Sequence, residues 1–181
     1  MEFLELVKKR QSVRKYDSRP VDQEVVARCL EAARLAPSAS NSQPWTFIVI
    51  DDPEIREKVA NRTYDSFLPM NKFVPQAPVL IVLVIEKPRV ITRIGGYIKN
   101  KEYPLIDIGI AAEHICLQAE SEGLGTCMLG WFNEKPIKKI LNIPPKKTIG
   151  LIITLGYAPS DYRVRDKSRK SFEEAVKYNS Y

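Results

Sequence analysis

Residues 105–130 read LIDIGIAAEHICLQAESEGLGTCMLG and contain the longest helical pattern in the chain. Apolar side chains occur on nearly every face of the segment 105–122, so the helix that it predicts has to be enclosed by its own domain or by a second subunit. Gly123 is typical of the residue that ends a helix, and the run 126–130 predicts a strand directly afterwards.

Shorter helical patterns lie upstream of this segment. Residues 2–10 place Phe3, Leu4 and Val7 on one face, which predicts a short amphipathic helix. Asp22 is a favourable N-cap for a second helix that ends before Pro37. The pair Asp52-Pro53 predicts a third helix over residues 53–60.

Strand patterns alternate irregularly with these helices. Residues 46–50 are β-branched and aromatic, and residues 79–85 are continuously apolar, as in a central strand that is buried on both faces. A further helix is predicted to open at Asn133 with Pro136 in its first turn, and a last strand covers 148–157. The irregular order favours a layered α+β fold over a regular parallel series.

The whole chain, 1–181, is expected to form one domain. It is long enough to bury a core, and it shows no repeat, low-complexity block or linker. Residues 61–76 and 86–104 are the least predictable parts, and the basic tail from residue 160 onward is expected to wrap around the domain.

Composition limits the class of protein. The net charge of +6 favours anionic partners, but the charges are dispersed and no nucleic-acid motif is present, so we expect no nucleic acid. The first residues lack a signal core, and no apolar stretch is long enough to cross a membrane. Three cysteines in apolar contexts give no support to a disulfide framework, which favours the cytoplasm.

Few side chains are suited to act as catalysts. The one histidine, His114, lies on the most apolar helix, which gives little support to a metal site or a Ser-His-Asp triad. Cys116 and Cys127 have no activating base beside them in the sequence, and burial would raise their thiol pKa values. An enzyme of this composition would need a cofactor to supply the reactive group.

Two basic clusters lie near opposite ends of the chain. Residues 10–14 read RQSVR and residues 167–169 read KSR. Guanidinium groups match phosphate oxygens, and serine adds a neutral donor, so the clusters are compatible with a phosphorylated cofactor held from both ends of the sequence. Solvated surface charge is the alternative for each cluster alone.

Two loops are ambiguous from residue types alone. The segment 36–45, APSASNSQPW, is either a turn or a loop that offers backbone N–H groups and amides to a flat heterocycle. The tripeptide 129–131, LGW, is either a strand end or a place where glycine lets a backbone N–H approach a ring nitrogen.

Four motifs keep their order along most of the chain: RQSVRKY at 10–16, APSASNSQPWTF at 36–47, DIGIAAEHICLQAESEGLGTCMLGWF at 107–132 and KSRKSFEE at 167–174. Together they resemble the FMN-dependent nitroreductase family. The resemblance implies a mixed, mostly antiparallel central sheet flanked by helices. It also implies an intertwined homodimer with two FMN sites at the subunit interface.

By this resemblance, the basic clusters become ligands of FMN. Arg10 and Ser12 correspond to residues that bind the phosphate and the ribityl chain, and Gln11 between them is predicted to bind the cofactor as well. Lys167 and Arg169 are implied to close on the same phosphate.

The remaining implied contacts concern the flavin ring. Arg14 corresponds to the basic residue near the pyrimidine edge, where it would stabilise negative charge on the reduced ring. Gly130 corresponds to the residue whose N–H approaches the flavin N5. Leu129 before it is also a predicted cofactor-binding residue, although other members carry an acidic residue at this position. The loop implied to reach the partner subunit's flavin contains Pro37, Ser38, Ala39 and Asn41.

The implied reaction has two steps: NAD(P)H reduces the flavin at N5, and a small acceptor such as a nitroaromatic or a quinone then takes the hydride. No side chain is expected to act as acid or base, and Arg14 and Gly130 are expected to tune the flavin. Another flavin chemistry on the same scaffold, such as dehalogenation, fragmentation or flavin reduction, remains open, as do flavin storage and a basic nucleic-acid binder.

Residues 61–104 match the family least well. Asn71 and Lys72 are candidates for one more flavin contact. The aromatic side chains of Tyr64, Phe67, Tyr97 and Tyr103 are either substrate-stacking groups or ordinary aromatics. The acceptor, the choice between NADH and NADPH and any function of His114 stay open.

Overall fold

Four antiparallel strands form the sheet in the computed structural model, which describes residues 2–64 and 69–181. The strands are β1 (Trp45–Ile50), β2 (Val79–Ile85), β3 (Gly125–Leu129) and β4 (Thr148–Gly156), in the spatial order β1-β2-β4-β3. Each predicted strand is present, with ends that differ by at most one residue. The strand β1 and the strand β3 are therefore the two edges.

Helices cover the two faces of the sheet. They are α1 (Phe3–Lys9), α2 (Gln23–Arg34), α3 (Pro53–Ala60), α4 (Val90–Lys99), α5 (Tyr103–Ser121), α6 (Glu134–Ile140) and α7 (Phe172–Ala175). The predicted caps are confirmed, because the Asp22 carboxylate accepts a hydrogen bond from the Glu24 N–H and the Asp52 carboxylate accepts one from the Ile55 N–H. Gly123, at φ +76°, follows α5 as predicted.

The sequence did not predict α4. It contains two adjacent glycines and several β-branched residues, which are weak helix formers. Its apolar side chains at Val90, Ile91, Ile94 and Ile98 are 53–70% exposed. The helical spacing of these residues therefore does not correspond to a face that is buried in the core of this chain. Tyr97 on the same helix is 91% exposed, while Phe67 lies outside the described residues.

The central strand β2 is buried on both faces, as predicted from its continuous apolar run. Leu80, Val82 and Val84 pack in one core with residues of α3 and α6. Val79, Ile81 and Leu83 pack in a second core with α2 and α5. The sheet is therefore the middle layer between two groups of helices, and the α+β fold is confirmed.

The sheet is mostly antiparallel, as predicted. All pairs among the four named strands are antiparallel, and within residues 2–64 and 69–181 the parallel component is a single bridge between Ser12 and Thr126. In this bridge the Val13 N–H donates to the Thr126 carbonyl at 2.8 Å. Residues 10–14 are thus held beside β3, where one hydrogen bond and local packing replace a full extra strand.

Close packing against a glycine permits this bridge. A Cβ atom at Gly125 would lie 2.5 Å from Cγ2 of Val13, a residue that is 3% exposed. Any larger residue at position 125 would push Val13 and the segment beside it away from β3.

Not every apolar residue of the long helix is enclosed within this chain. Side chains from Ile108 to Ala119 line the second core, but Leu105 and Ile106 are 51% and 52% exposed. No helix among the described residues combines the length and hydrophobicity needed to cross a bilayer. The assignment of residues 1–181 to one domain stays a prediction.

All three cysteines are buried and unpaired. Burial raises the thiol pKa of Cys29 and of Cys116 to about 12, and it also raises the pKa of Cys127. A thiol with such a pKa is almost fully protonated at neutral pH, so these groups are poor nucleophiles.

We expect Gly125→Ala to destabilise the protein by about 1–3 kcal/mol, because the new methyl group overpacks the contact with Val13. Chemical denaturation measures the change. The matched control is Gly109→Ala in α5, where an added Cβ meets no atom within 4 Å. That control is expected to stabilise the helix by about 0.5–1 kcal/mol. Equal effects of the two substitutions would contradict the proposed contact.

We expect Cys29 and Cys116 in the native protein to react with a disulfide reagent at pH 8 on the order of a thousandfold more slowly than in the unfolded chain, because few of these thiols are ionised at that pH. Absorbance of the released thiolate measures the rate. Unfolding should expose three thiols per chain. Rapid modification of any native cysteine would show that the core is open at that residue.

Candidate functional site

A cleft of about 530 Å³ lies between the end of α1 and the C-terminal tail. Five cationic side chains and one carboxylate, that of Asp166, line it; the cations are Lys8, Arg10, Arg165, Lys167 and Arg169. The structure therefore brings Arg10 together with Lys167 and Arg169, which follow it by more than 150 residues in the sequence. A surplus of cations in one cleft is the donor set expected for a phosphate group.

The tail is fastened to residues 10–12 by polar contacts. The Gln11 amide donates to the Arg163 carbonyl at 3.2 Å, and its Oε1 accepts from the Arg165 backbone N–H at 3.1 Å. The Arg165 Nη2 donates to the Ser12 carbonyl at 2.6 Å. Gln11 is buried and its side-chain amide is hydrogen-bonded to the tail, so it shapes the cleft. Direct contact of Gln11 with a cofactor stays a prediction.

Arg165 is a site residue that the sequence reasoning missed. It lies two positions before Lys167, within a run of alternating basic residues that gives no reason to choose one over another. Its hydrogen bonds to Gln11 and Ser12 could not be predicted without knowing that the tail passes beside residues 10–14.

Charges in the cleft repel each other. Desolvation, followed by the nearby guanidinium groups of Arg10 and Arg169, lowers the pKa of Lys167. The ammonium group of Lys167 donates to the carbonyls of Val7 and Lys8 in the last turn of α1, where the helix dipole favours a cation. An anion bound in this cleft would relieve the repulsion.

Arg10 is oriented by a carboxylate without being fully satisfied. Its Nε lies 3.1 Å from Oε1 of Glu113 on α5, outside the angle for a hydrogen bond. The same Nε is buried and has no hydrogen-bond partner among the described residues. The guanidinium group is thus directed into the cleft while it keeps donors for another acceptor.

Ser12 and Arg14 continue along the edge of β3. The parallel bridge places Ser12 beside Thr126, and the Arg14 N–H donates to the Tyr162 hydroxyl at 3.1 Å. Gly130 follows β3 in the same direction, about 13 Å beyond Thr126 at an ordinary strand rise. One edge of the sheet therefore carries, one after another, the residues predicted to contact the phosphate, the ribityl chain and the flavin ring.

Asn71 fixes the chain just beyond Gly130. Its Nδ2 donates to the Thr63 and Trp131 carbonyls, both at 2.9 Å, and the side chain is 6% exposed. The Leu129 side chain is 3% exposed and belongs to the core, so a cofactor at this point would meet only the Leu129 backbone. An added Cβ at Gly130 would meet no atom within 4 Å, which leaves the backbone open.

The loop 37–43 is held by helices rather than by the basic cleft. The Ala39 N–H donates to Oδ1 of Asp107 at 3.0 Å, and the Ala39 carbonyl accepts from the Thr92 hydroxyl at 3.2 Å. Within the loop, the Gln43 N–H donates to Oγ of Ser38 and the Gln43 amide donates to Oδ1 of Asn41. These hydrogen bonds agree with the interpretation of this segment as a turn. The side chains of Pro37 and Asn41 are exposed and remain accessible.

The sheet keeps this loop apart from the site of the same chain. The loop leads into β1, which lies three strand spacings, about 14 Å, across the sheet from β3. The strand pairing directs the beginning of β1 and the end of β3 toward the same end of the sheet. The loop and Gly130 are therefore at one end of the molecule but on opposite edges.

His114 has a structural contact. Its Nδ1 lies 2.9 Å from the Ala32 carbonyl, which joins α5 to α2. The buried thiols and this histidine thus have structural surroundings, whereas the basic cleft and the open edge at Gly130 contain the predicted binding residues.

Comparison with known proteins gives one family. The nitroreductase family model matches residues 7–72 and 68–157. A relative from Methanothermobacter thermautotrophicus, named "Putative NADH dehydrogenase/NAD(P)H nitroreductase", is 32% identical over 92% of this chain and 82% of its own length. Rat iodotyrosine deiodinase 1 is 27% identical over 97% of this chain and 68% of its own length.

A solved structure gives the same answer. The FMN-dependent nitroreductase from Clostridium difficile R20291 superposes with a TM-score of 0.79 at 29% identity, over 99% of this chain and 100% of that protein. The family model covers more than half of the residues, and the fold and the order of the motifs agree with it. The chain therefore belongs to the nitroreductase family.

Proposed function

We propose that this protein is an FMN-dependent NAD(P)H oxidoreductase that passes hydride to a small acceptor such as a nitroaromatic or a quinone. The observation that carries the proposal is the basic cleft formed by Arg10, Arg165, Lys167 and Arg169 at one end of an open sheet edge. The names of the relatives support FMN as the cofactor and NAD(P)H as the donor.

The cleft fits the phosphate of FMN on chemical grounds. A phosphate monoester carries a charge of about −1.5 to −2 at neutral pH and offers three acceptor oxygens. The Arg10 Nε is ion-paired with Glu113 but makes no hydrogen bond, and desolvation and the neighbouring guanidinium groups lower the pKa of Lys167. Both observations fit a cationic site that binds an anion. Arg10, Ser12, Lys167 and Arg169 are the residues proposed to hold the phosphate and the ribityl chain.

The flavin supplies the hydride chemistry at its N5 atom when it is bound. This chain's own residues bind and orient. The exposed Arg14 is proposed to face the pyrimidine edge and to stabilise negative charge there. The open backbone at Gly130, fixed by the hydrogen bond from Asn71 to Trp131, is proposed to present an N–H group to the ring.

A homodimer completes this proposal. In one chain the loop containing Pro37, Ser38, Ala39 and Asn41 lies across the sheet from Gly130, so it is proposed to serve the flavin of the partner subunit. The exposed apolar side chains of α4 and of the beginning of α5 supply surface that a second copy would cover. The unpaired thiols fit a reducing compartment, which supports a location in the cytoplasm.

Reductive dehalogenation is the second candidate. It rests on the deiodinase relatives, which align over nearly the whole of this chain. Both reactions would use the same cleft and flavin, so the acceptor distinguishes them.

The test of the proposed function is the visible absorption spectrum of the purified protein, followed anaerobically after NADH or NADPH is added. We expect a flavin spectrum that bleaches within the mixing time and recovers when a nitroaromatic or a quinone is supplied. Recovery only with a halogenated phenol would support dehalogenation. A bound flavin that neither donor reduces would favour storage, and a protein that takes up no FMN would overturn the proposal.

We expect Arg10→Ala to weaken FMN binding by roughly 10- to 100-fold, because a charge-assisted hydrogen bond to phosphate is lost. Fluorescence quenching of free FMN during titration measures the Kd. The matched control is Arg34→Ala on α2, which removes an exposed arginine paired with Glu31 and should leave the Kd unchanged. An unchanged Kd for Arg10→Ala in folded protein would refute the phosphate assignment.

A further inference from the structure

The backbone N–H and carbonyl groups of the loop residue Ala39 are hydrogen-bonded to side chains of two different helices. The Ala39 N–H donates to Asp107 on α5, and the Ala39 carbonyl accepts from Thr92 on α4. Asp107 and Thr92 are 2% and 4% exposed. Ala39 is thus fixed from both sides by buried side chains, although it is itself part of a surface loop.

The loop needs such support because its backbone is strained. Ser40, Asn41 and Gln43 have φ values of +52°, +50° and +47°, which non-glycine residues seldom adopt. Each such conformation is unfavourable and persists only where the surroundings enforce it. The hydrogen bonds inside the loop supply part of that support. Asp107 and Thr92 anchor Ala39 to α5 and α4, and the Arg89 N–H at the start of α4 donates to Oγ of Ser42.

Asp107 is an unusual residue for simple helix packing. Its Oδ1 holds Ala39, but its Oδ2 is buried and has no hydrogen-bond partner among the described residues. An unsatisfied buried oxygen is destabilising, so an apolar side chain would pack α5 better. Desolvation raises the pKa of this carboxyl group, which agrees with the poor solvation of Oδ2.

We propose that Asp107, with Thr92, is a positioning residue that sets the loop 38–43 in the geometry with which it contacts the flavin of the partner subunit. This inference rests on the proposed function. Asp107 itself touches no cofactor in this proposal: it acts through the Ala39 N–H. The destabilising Oδ2 is retained because the acceptor at Oδ1 is needed for the loop.

The test compares conservative and disruptive variants at both positions. Asp107→Asn keeps an oxygen that can accept from the Ala39 N–H, and Asp107→Leu removes it. Thr92→Ser keeps the hydroxyl, and Thr92→Val removes it. The exposed Asp51, at the opposite end of β1, supplies the matched controls Asp51→Asn and Asp51→Leu. Each variant is first checked for folding by circular dichroism and for assembly by native mass.

Two readouts are made on the full-length protein. Hydrogen exchange reports the protection of residues 38–43 with or without flavin, and titration gives the Kd for FMN. For Asp107→Leu we expect loss of protection in the loop and a Kd raised about tenfold or more, as for a lost hydrogen bond to a charged group. Thr92→Val should change both in the same direction by a smaller factor. For Asp107→Asn, Thr92→Ser and the Asp51 variants, the Kd for FMN should stay within about twofold of the wild-type value. A tenfold change in Kd corresponds to about 1.4 kcal/mol.

Failure of the two proposals is distinguishable. Wild-type protein that binds no FMN overturns the proposed function. If the wild-type protein does bind FMN, the positioning role is tested by the variants. It is overturned if Asp107→Leu or Thr92→Val folds, loses loop protection and keeps the wild-type Kd. The role is also overturned if Asp107→Asn raises the Kd as much as Asp107→Leu does. If Asp107→Leu does not fold, the comparison of Thr92→Val with Thr92→Ser decides in the same way.

Discussion

The hydrogen bond from the Val13 N–H to the Thr126 carbonyl is the contact on which the candidate site depends. It joins the N-terminal segment to β3 in a parallel register, and the missing side chain at Gly125 lets Val13 pack against the strand. Because residues 10–14 form one short extended segment, this contact sets the position of Arg10 and of Arg14 together. A shift of the bridge would move both ends of the proposed cofactor site at once.

In the proposed site, charge repulsion in the cleft would couple docking of the tail to the binding of an anion. The tail is docked by Gln11 and Arg165, which brings Lys167 and Arg169 close to Arg10 against their mutual repulsion. A phosphate would lower the energy of this docked state and would not bind the undocked state equally well, so ligand binding and tail docking stabilise each other. The hydrogen bonds of Gln11 and Arg165 therefore preorganise the cleft, and the charge of the proposed phosphate would stabilise it further.

The sequence predicted those parts of the molecule whose signals are local. Caps at Asp22 and Asp52, the helix stop at Gly123 and the continuous apolar run of β2 each follow from residue type and spacing, and the four motifs identified the family. The helix α4 was missed because its apolar face meets no core in this chain. Arg165 and Asp107 were missed because their roles come from contacts 153 and 68 residues away in sequence, which no periodicity encodes.

The order of the strands explains why the proposed site needs two chains. Residues 10–14 must lie beside an edge strand, because an interior strand already has partners on both sides; β3 is such an edge. The loop 37–43 leads into the other edge, β1, and is anchored there by α4 and α5. No change of loop conformation moves it across two intervening strands while Asp107 holds Ala39. A rigid loop on one edge is useful to a flavin on the other edge only if a second subunit brings the two edges together.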